Sequence, residues 1–97
     1  MHEQAMYRDL LRKVTEVARD ERAGRVTRVR LWVGALSHLT EPQLLAQWPD
    51  VTRGTVAEGA ALEVQVSSDP DDPRAQSVVL TSLDVGAPIR PPGMTGD

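Results

Sequence analysis

Apolar and polar positions in the first part of the chain repeat at three- and four-residue steps. Met6, Leu10, Leu11, Val14, Val17 and Ala18 form one stripe, while Arg8, Asp9, Arg12, Lys13, Glu16 and Arg19 fall off it. The pattern predicts an amphipathic helix over 3–22 with one buried side. Gly24 is its expected terminator, since glycine enters the left-handed conformation that closes a helix without steric cost. The period then shortens to two. Thr27, Val29, Leu31 and Val33 alternate with Arg28, Arg30 and Trp32, which predicts a strand buried on one face and basic on the other, ending at Gly34. The basic face with its tryptophan is either a solvated sheet surface or a contact surface for an acidic partner.

Thr40-Glu41-Pro42-Gln43 has the spacing of a capping box, in which a Thr hydroxyl and a Gln side chain satisfy each other's backbone N–H groups. A second helix therefore starts there, with proline in its first turn. Leu44, Leu45 and Trp48 form its apolar side, and Pro49 is expected to shorten or kink it, with one more turn at 50–53. Leu62, Val64 and Val66 alternate with polar residues in a second strand, and 78–85 forms a third. The intervening Asp69-Pro70-Asp71-Asp72-Pro73 is a turn signal, so strands two and three are expected to pair as an antiparallel hairpin. Its three carboxylates lack the glycine and terminal glutamate of a calcium loop.

The order α-β-α-β-β predicts an α+β two-layer sandwich, with two helices on one face of a small three-stranded sheet. If strands one and two are neighbours, the helix between them makes a parallel crossover. The expected domain is 1–85, with 67–77 as a short connection. Residues 86–97, rich in proline and glycine, are expected to be disordered.

The chain has 97 residues, no cysteine and a formal net charge of −3. A domain of this size buries only about two thirds of its unfolded surface, which leaves little room for a deep pocket. Phe is absent, so Leu, Val and Ala do most of the packing. The acidic balance argues against nucleic acid. The absence of cysteine excludes disulfides, thiolate metal sites and a cysteine nucleophile, and fits a cytoplasmic protein. No apolar run approaches membrane-spanning length, and Glu3, Arg8 and Asp9 spoil a signal-peptide reading. Nothing resembles a Ser/His/Asp constellation, a phosphate-binding glycine loop or an enclosed pair of acids, so no enzyme is expected.

Concentrated metal-binding chemistry occurs at the start. With Met1 as terminus, its amine, the deprotonated His2 amide and the His2 ring can close two fused chelate rings around one ion, with Glu3 alongside. Nitrogen donors in a plane suit Ni(II) or Cu(II). An N-terminal histidine is otherwise an ordinary surface residue. His38 and Glu41 are secondary candidates in the loop that precedes the second helix.

Met1-His2-Glu3 before an amphipathic helix, Val26 to Leu31 leading into Gly34-Ala35-Leu36-Ser37, then Gly54-Thr55 and Glu58-Gly59-Ala60-x-Leu62 form a combination. It resembles the HypA/HybF family of nickel metallochaperones, which help deliver Ni(II) to nickel-iron hydrogenase and sometimes urease. The resemblance covers 1–66, and 80–85 looks like the family's closing strand. It implies nickel ligation through His2, with contributions from Glu3. It also implies a HypB-like GTPase and a hydrogenase large subunit as partners. The family acid near the second helix falls at Thr40 here, with Glu41 one residue later. Ala46 stands where the family usually has an aromatic. Family members also insert a zinc domain with two Cys-x-x-Cys pairs between the last two strands; here only 67–77 stands there, and no thiolate zinc site can form.

Two functions follow. The first is a nickel-binding accessory protein that holds Ni(II) transiently at Met1, His2 and Glu3, without zinc. The second is a non-metal interaction or scaffold module that keeps the fold and docks through Arg28, Arg30 and Trp32 or through the first helix. Both leave open a homodimer through a sheet edge.

Overall fold

The computed structural model describes residues 2–86, with side chains from residue 4 onward. Helix α1 (His2–Asp20) buries Tyr7, Leu10, Val14 and Ala18 along one line. Tyr7 belongs to this stripe, which rotates it slightly from the expected one and leaves Val17 39% exposed. The helix also closes before Gly24. Arg22 takes φ 55°, its amide donates to the Arg19 carbonyl at 3.0 Å, and the Ala23 amide donates to the Ala18 carbonyl at 2.9 Å. These are the paired bonds of a Schellman closure. The reversal thus falls on an arginine, because buried Ala18 and Val26 fix where the chain must turn.

Strand β1 (Val26–Val33) lies at the centre of the sheet, in the order β2-β1-β3 with β2 (Ala61–Val66) and β3 (Val78–Val85). It pairs in parallel with β2, as a crossover through an intervening helix requires, and antiparallel with β3. The expected β2–β3 hairpin does not form. Segment 67–77 instead carries the chain past the end of β1 to its other edge. The reason lies in burial: Val26, Val29, Leu31 and Val33 are almost fully enclosed, and a β2–β3 hairpin would exile this most apolar strand to an edge. A register shift between Val26 and Arg28 turns Thr27 away from the core, with Val26 buried instead. The Thr27 hydroxyl donates to the Asp84 carbonyl at 3.3 Å.

Helix α2 (Glu41–Thr52) starts on the expected capping box. The Gln43 amide donates to Thr40 Oγ1 at 3.3 Å, and the Thr40 amide donates to Gln43 Oε1 at 2.9 Å. It runs on through Pro49 rather than stopping there. Two bonds fasten the last turn in place of the donor that Pro49 lacks: Trp48 Nε1 donates to the Ala60 carbonyl, and the buried Thr52 hydroxyl donates to the Trp48 carbonyl, each at 2.9 Å. Both helices cover one face of the sheet, where Leu44 and Trp48 join the α1 stripe in a single core.

Gly34 positions the connection. Its amide donates to the Ser77 carbonyl at 2.9 Å and the Leu36 amide to the Ala75 carbonyl at 2.7 Å, with Ala75 buried against them. A Cβ on Gly34 would lie 2.1 Å from the Ala75 oxygen. Only a residue without one admits this crossing. Beyond Gly86, whose amide donates to the Arg25 carbonyl at 3.0 Å, the tail read as disordered lies outside the described residues.

Candidate metal centre

Met1 and the side chains of His2 and Glu3 lie outside what the structure describes, but the backbone they start is α1, which begins at His2. The first four amides of a helix have no intrahelical acceptor. The His2 amide proton can therefore leave without breaking a helical bond. The first described side chains of the helix that face the fold, Met6 and Tyr7, lead to different places. Met6 helps line a groove of about 280 Å³ with Ser37, His38, Leu39, Gln76 and Ser77. Tyr7 is buried, and its hydroxyl donates to Gln47 Oε1 of α2 at 2.5 Å.

The loop that carries His38 is anchored on both sides of it. The Ser37 amide donates to the Gly34 carbonyl at 3.1 Å, the Leu39 amide donates to Ser37 Oγ at 3.2 Å, and the Leu39 side chain is buried. His38 itself is exposed, and its ring engages no hydrogen bond or ion pair among the described residues. Glu41 falls elsewhere. It lines a neighbouring groove of about 310 Å³ with Val33, Pro42 and Val66, to which no described α1 residue contributes. The fold thus brings His38 beside Met6 of α1 and leaves Glu41 on the β2 side. Among the described residues no three His, Asp or Glu side chains gather closely enough to hold an ion.

Arg28, Arg30 and Trp32 lie on the opposite face of the sheet from the helices. Arg28 Nη1 reaches Glu63 Oε2 at 3.0 Å and Arg30 Nε reaches Glu63 Oε1 at 3.2 Å, across the parallel β1–β2 pair. Arg30 also grips Asp84 through two parallel bonds of 3.0 and 3.1 Å. The side-chain hydrogen bond between them, with their attraction, raises the Arg30 pKa and lowers that of Asp84. Trp32 is covered by the Arg74 guanidinium, 5.4 Å from the ring centre. Two carboxylates balance the two arginines, so the face read from β1 alone as basic is locally neutral. Glu63 and Asp84 were visible as polar positions in alternating strands, but their role depends on which strands flank β1. Among the described residues, no helix is long and apolar enough to cross a membrane.

Residues 1–69 match the family described as "HypA: Hydrogenase/urease nickel incorporation, metallochaperone, hypA". The chain is 42% identical over 64 residues to hydrogenase maturation factor HypA of Rhizobium leguminosarum bv. viciae, covering 66% of this chain and 57% of that protein. It is 38% identical over 66 residues to HypA of Archaeoglobus fulgidus, covering 68% and 60%. These alignments span well under two thirds of either relative's length. Its fold is like that in the solution structure of the Ni metallochaperone HypA from Helicobacter pylori, with TM-score 0.69 and 14% identity over 86% of this chain and 96% of that one.

Proposed function

Because the chain belongs to the HypA family of hydrogenase/urease nickel-incorporation metallochaperones, we propose that it binds Ni(II) through Met1, His2 and Glu3 and hands it on during maturation of a nickel enzyme, nickel-iron hydrogenase first. One observation carries this reading. The family match begins at Met1 and so includes the tripeptide whose amine, amide and imidazole nitrogens suit a planar Ni(II) site. The start of α1 at His2 supports it, since an amide without a helical acceptor can give up its proton to the metal. Glu3 offsets the charge of the ion, and as an anion it is favoured at a helix N-terminus, where a cation alone is not.

The cargo is held shallowly. No thiolate is available from these residues, and bound nickel competes with protons for the imidazole and the amine. Release is therefore promoted by acid and by a receiving protein that offers better ligands. In this reading the receivers are a HypB-like GTPase and a hydrogenase large subunit, met in the cytoplasm. Calorimetric titration of Ni(II) into untagged protein beginning at Met1 tests the site. His2→Ala should weaken binding by at least about 100-fold, equivalent to 2.7 kcal/mol. Equal affinity in both proteins would remove the nickel site from the tripeptide.

A further inference from the structure

We propose that the free edge of β2 is a self-recognition surface, to which a second copy of this chain adds its own β2 antiparallel, about a two-fold axis through Val64. β2 is an outer strand of the sheet. The Ser67 amide donates to the Val33 carbonyl, and Val33 is in register with Val66. In a parallel ladder that bond turns the odd-numbered backbone groups of β2 toward β1 and the even-numbered ones away. Leu62, Val64 and Val66 therefore point their amides and carbonyls outward, where no further strand of the described residues meets them. An open edge is normally blunted by a lysine, a proline or a bulge. β2, Ala-Leu-Glu-Val-Gln-Val, has neither residue, and its register with β1 is unbroken. Its single charge, Glu63, is spent on Arg28 and Arg30 of β1. The β3 edge differs, because its register slips past Thr81 and bends the strand there.

The sequence of β2 fits its own copy in one register. With Val64 on the axis, Leu62 faces the second copy's Val66, Val64 faces Val64, and Val66 faces Leu62. These are hydrogen-bonded pairs that exchange two backbone bonds each, about six in all. Between them each Glu63 carboxylate stands opposite a Gln65 amide that can donate to it. An axis through Glu63 would instead set two carboxylates against each other, and one through Gln65 would shift Leu62 off the partner strand onto Ser68. Apolar cover accompanies the pairing. Val66, 52% exposed, gains Leu62 as a neighbour. Leu45, also exposed, lies one turn along α2 from Glu41 and Pro42, which line the groove beside Val66, so it flanks the same edge. The Met6–His38 groove includes Val78 of β3, at the opposite edge, and stays open in each copy. An overlap limited to 62–66 is smaller than the interfaces of about 1,600 Å² that hold stable complexes, so the dimer forms by mass action at high concentration.

Sedimentation velocity on the full chain, from about 5 to about 500 µM, should show a monomer passing to a dimer. Val66→Lys, at an exposed position, should raise the dimer dissociation constant at least about tenfold, while Thr81→Lys on the β3 edge should leave it unchanged. The register is tested by disulfide trapping, which the absence of native cysteine makes unambiguous. Opposed residues of a non-hydrogen-bonded pair have Cα atoms about 4.5 Å apart, within disulfide reach. Glu63→Cys mixed with Gln65→Cys should therefore cross-link on mild oxidation, and neither variant alone should do so. A wild-type monomer throughout the range, or a dimer that Val66→Lys leaves intact, would overturn the proposal. Cross-linking of either cysteine variant by itself, or none in the mixture, would overturn the axis at Val64.

Discussion

Replacing Gly34 by alanine should be the most disruptive single-methyl change at the end of β1. The added Cβ would meet the Ala75 oxygen at 2.1 Å, the Ala75 carbonyl carbon at 2.3 Å and the Arg74 oxygen at 2.5 Å. Non-bonded heavy atoms rest near 3.5 Å, so this carbonyl would have to withdraw by about 1.4 Å. The neighbours are backbone atoms and cannot rotate aside. Withdrawal stretches the 2.7 Å bond from the Leu36 amide and strains the 2.9 Å bond from Gly34 to Ser77. Two backbone bonds at about 1 kcal/mol each, with an overpacking cost of about 1–3 kcal/mol, give a loss of roughly 3–5 kcal/mol. That is a large share of the 5–15 kcal/mol typical of a small domain. Urea unfolding measures the loss, and amide exchange at Leu36 reports whether the connection has lifted. A loss below about 0.5 kcal/mol with Leu36 still protected would refute the close crossing.

At the end of α1, Arg22→Gly should stabilise the protein by about 1 kcal/mol, because glycine takes the left-handed conformation that arginine adopts at a cost. Thermal and urea unfolding would show it, and an unchanged midpoint would contradict the Schellman closure. Asp84→Asn should flatten the acid limb of stability. Arg30, chiefly through its hydrogen bonds, lowers the Asp84 pKa, so this contribution is present above the carboxyl's unfolded value and is lost as pH falls through the lower folded value. Urea midpoints measured from neutral pH to about pH 2 should converge for the two proteins at the acid end. Parallel curves would rule out a role for the pair.

Local signals in this sequence were legible where neighbours along the chain decide the outcome. The Thr40–Gln43 capping box depends on a three-residue spacing, and it formed as read. The alternation that marks β1 likewise appears in the structure, although a shift at Thr27 replaces that residue by Val26 in the core. Pairing was less legible, because a turn-like composition at 69–73 says only that the chain bends, not which strand lies on the far side. The same ignorance hid the neutral outer face. Arg28 and Arg30 look like free cations until β2 brings Glu63 beside them and β3 brings Asp84. For the candidate metal centre, the tripeptide and His38 were visible as residue types. That His38 shares a groove with Met6 of α1 was not, since it depends on how the β1–α2 loop packs against the helix.

The crossing at Gly34 has a mechanical consequence. The Ser67 amide donates to the Val33 carbonyl at 2.8 Å, and the Ser77 carbonyl accepts from Gly34 at 2.9 Å, so both ends of the connection are clamped to the end of β1. They lead to strands on opposite sides of it, two inter-strand spacings or about 10 Å apart. Any longer module spliced into this connection would hang from two mounts rather than from a single stalk. Spinning about one tether is thereby forbidden, and the remaining freedom is a rocking motion about the line from Ser67 to Ser77. That axis would swing such a module toward or away from the groove that His38 and Met6 share.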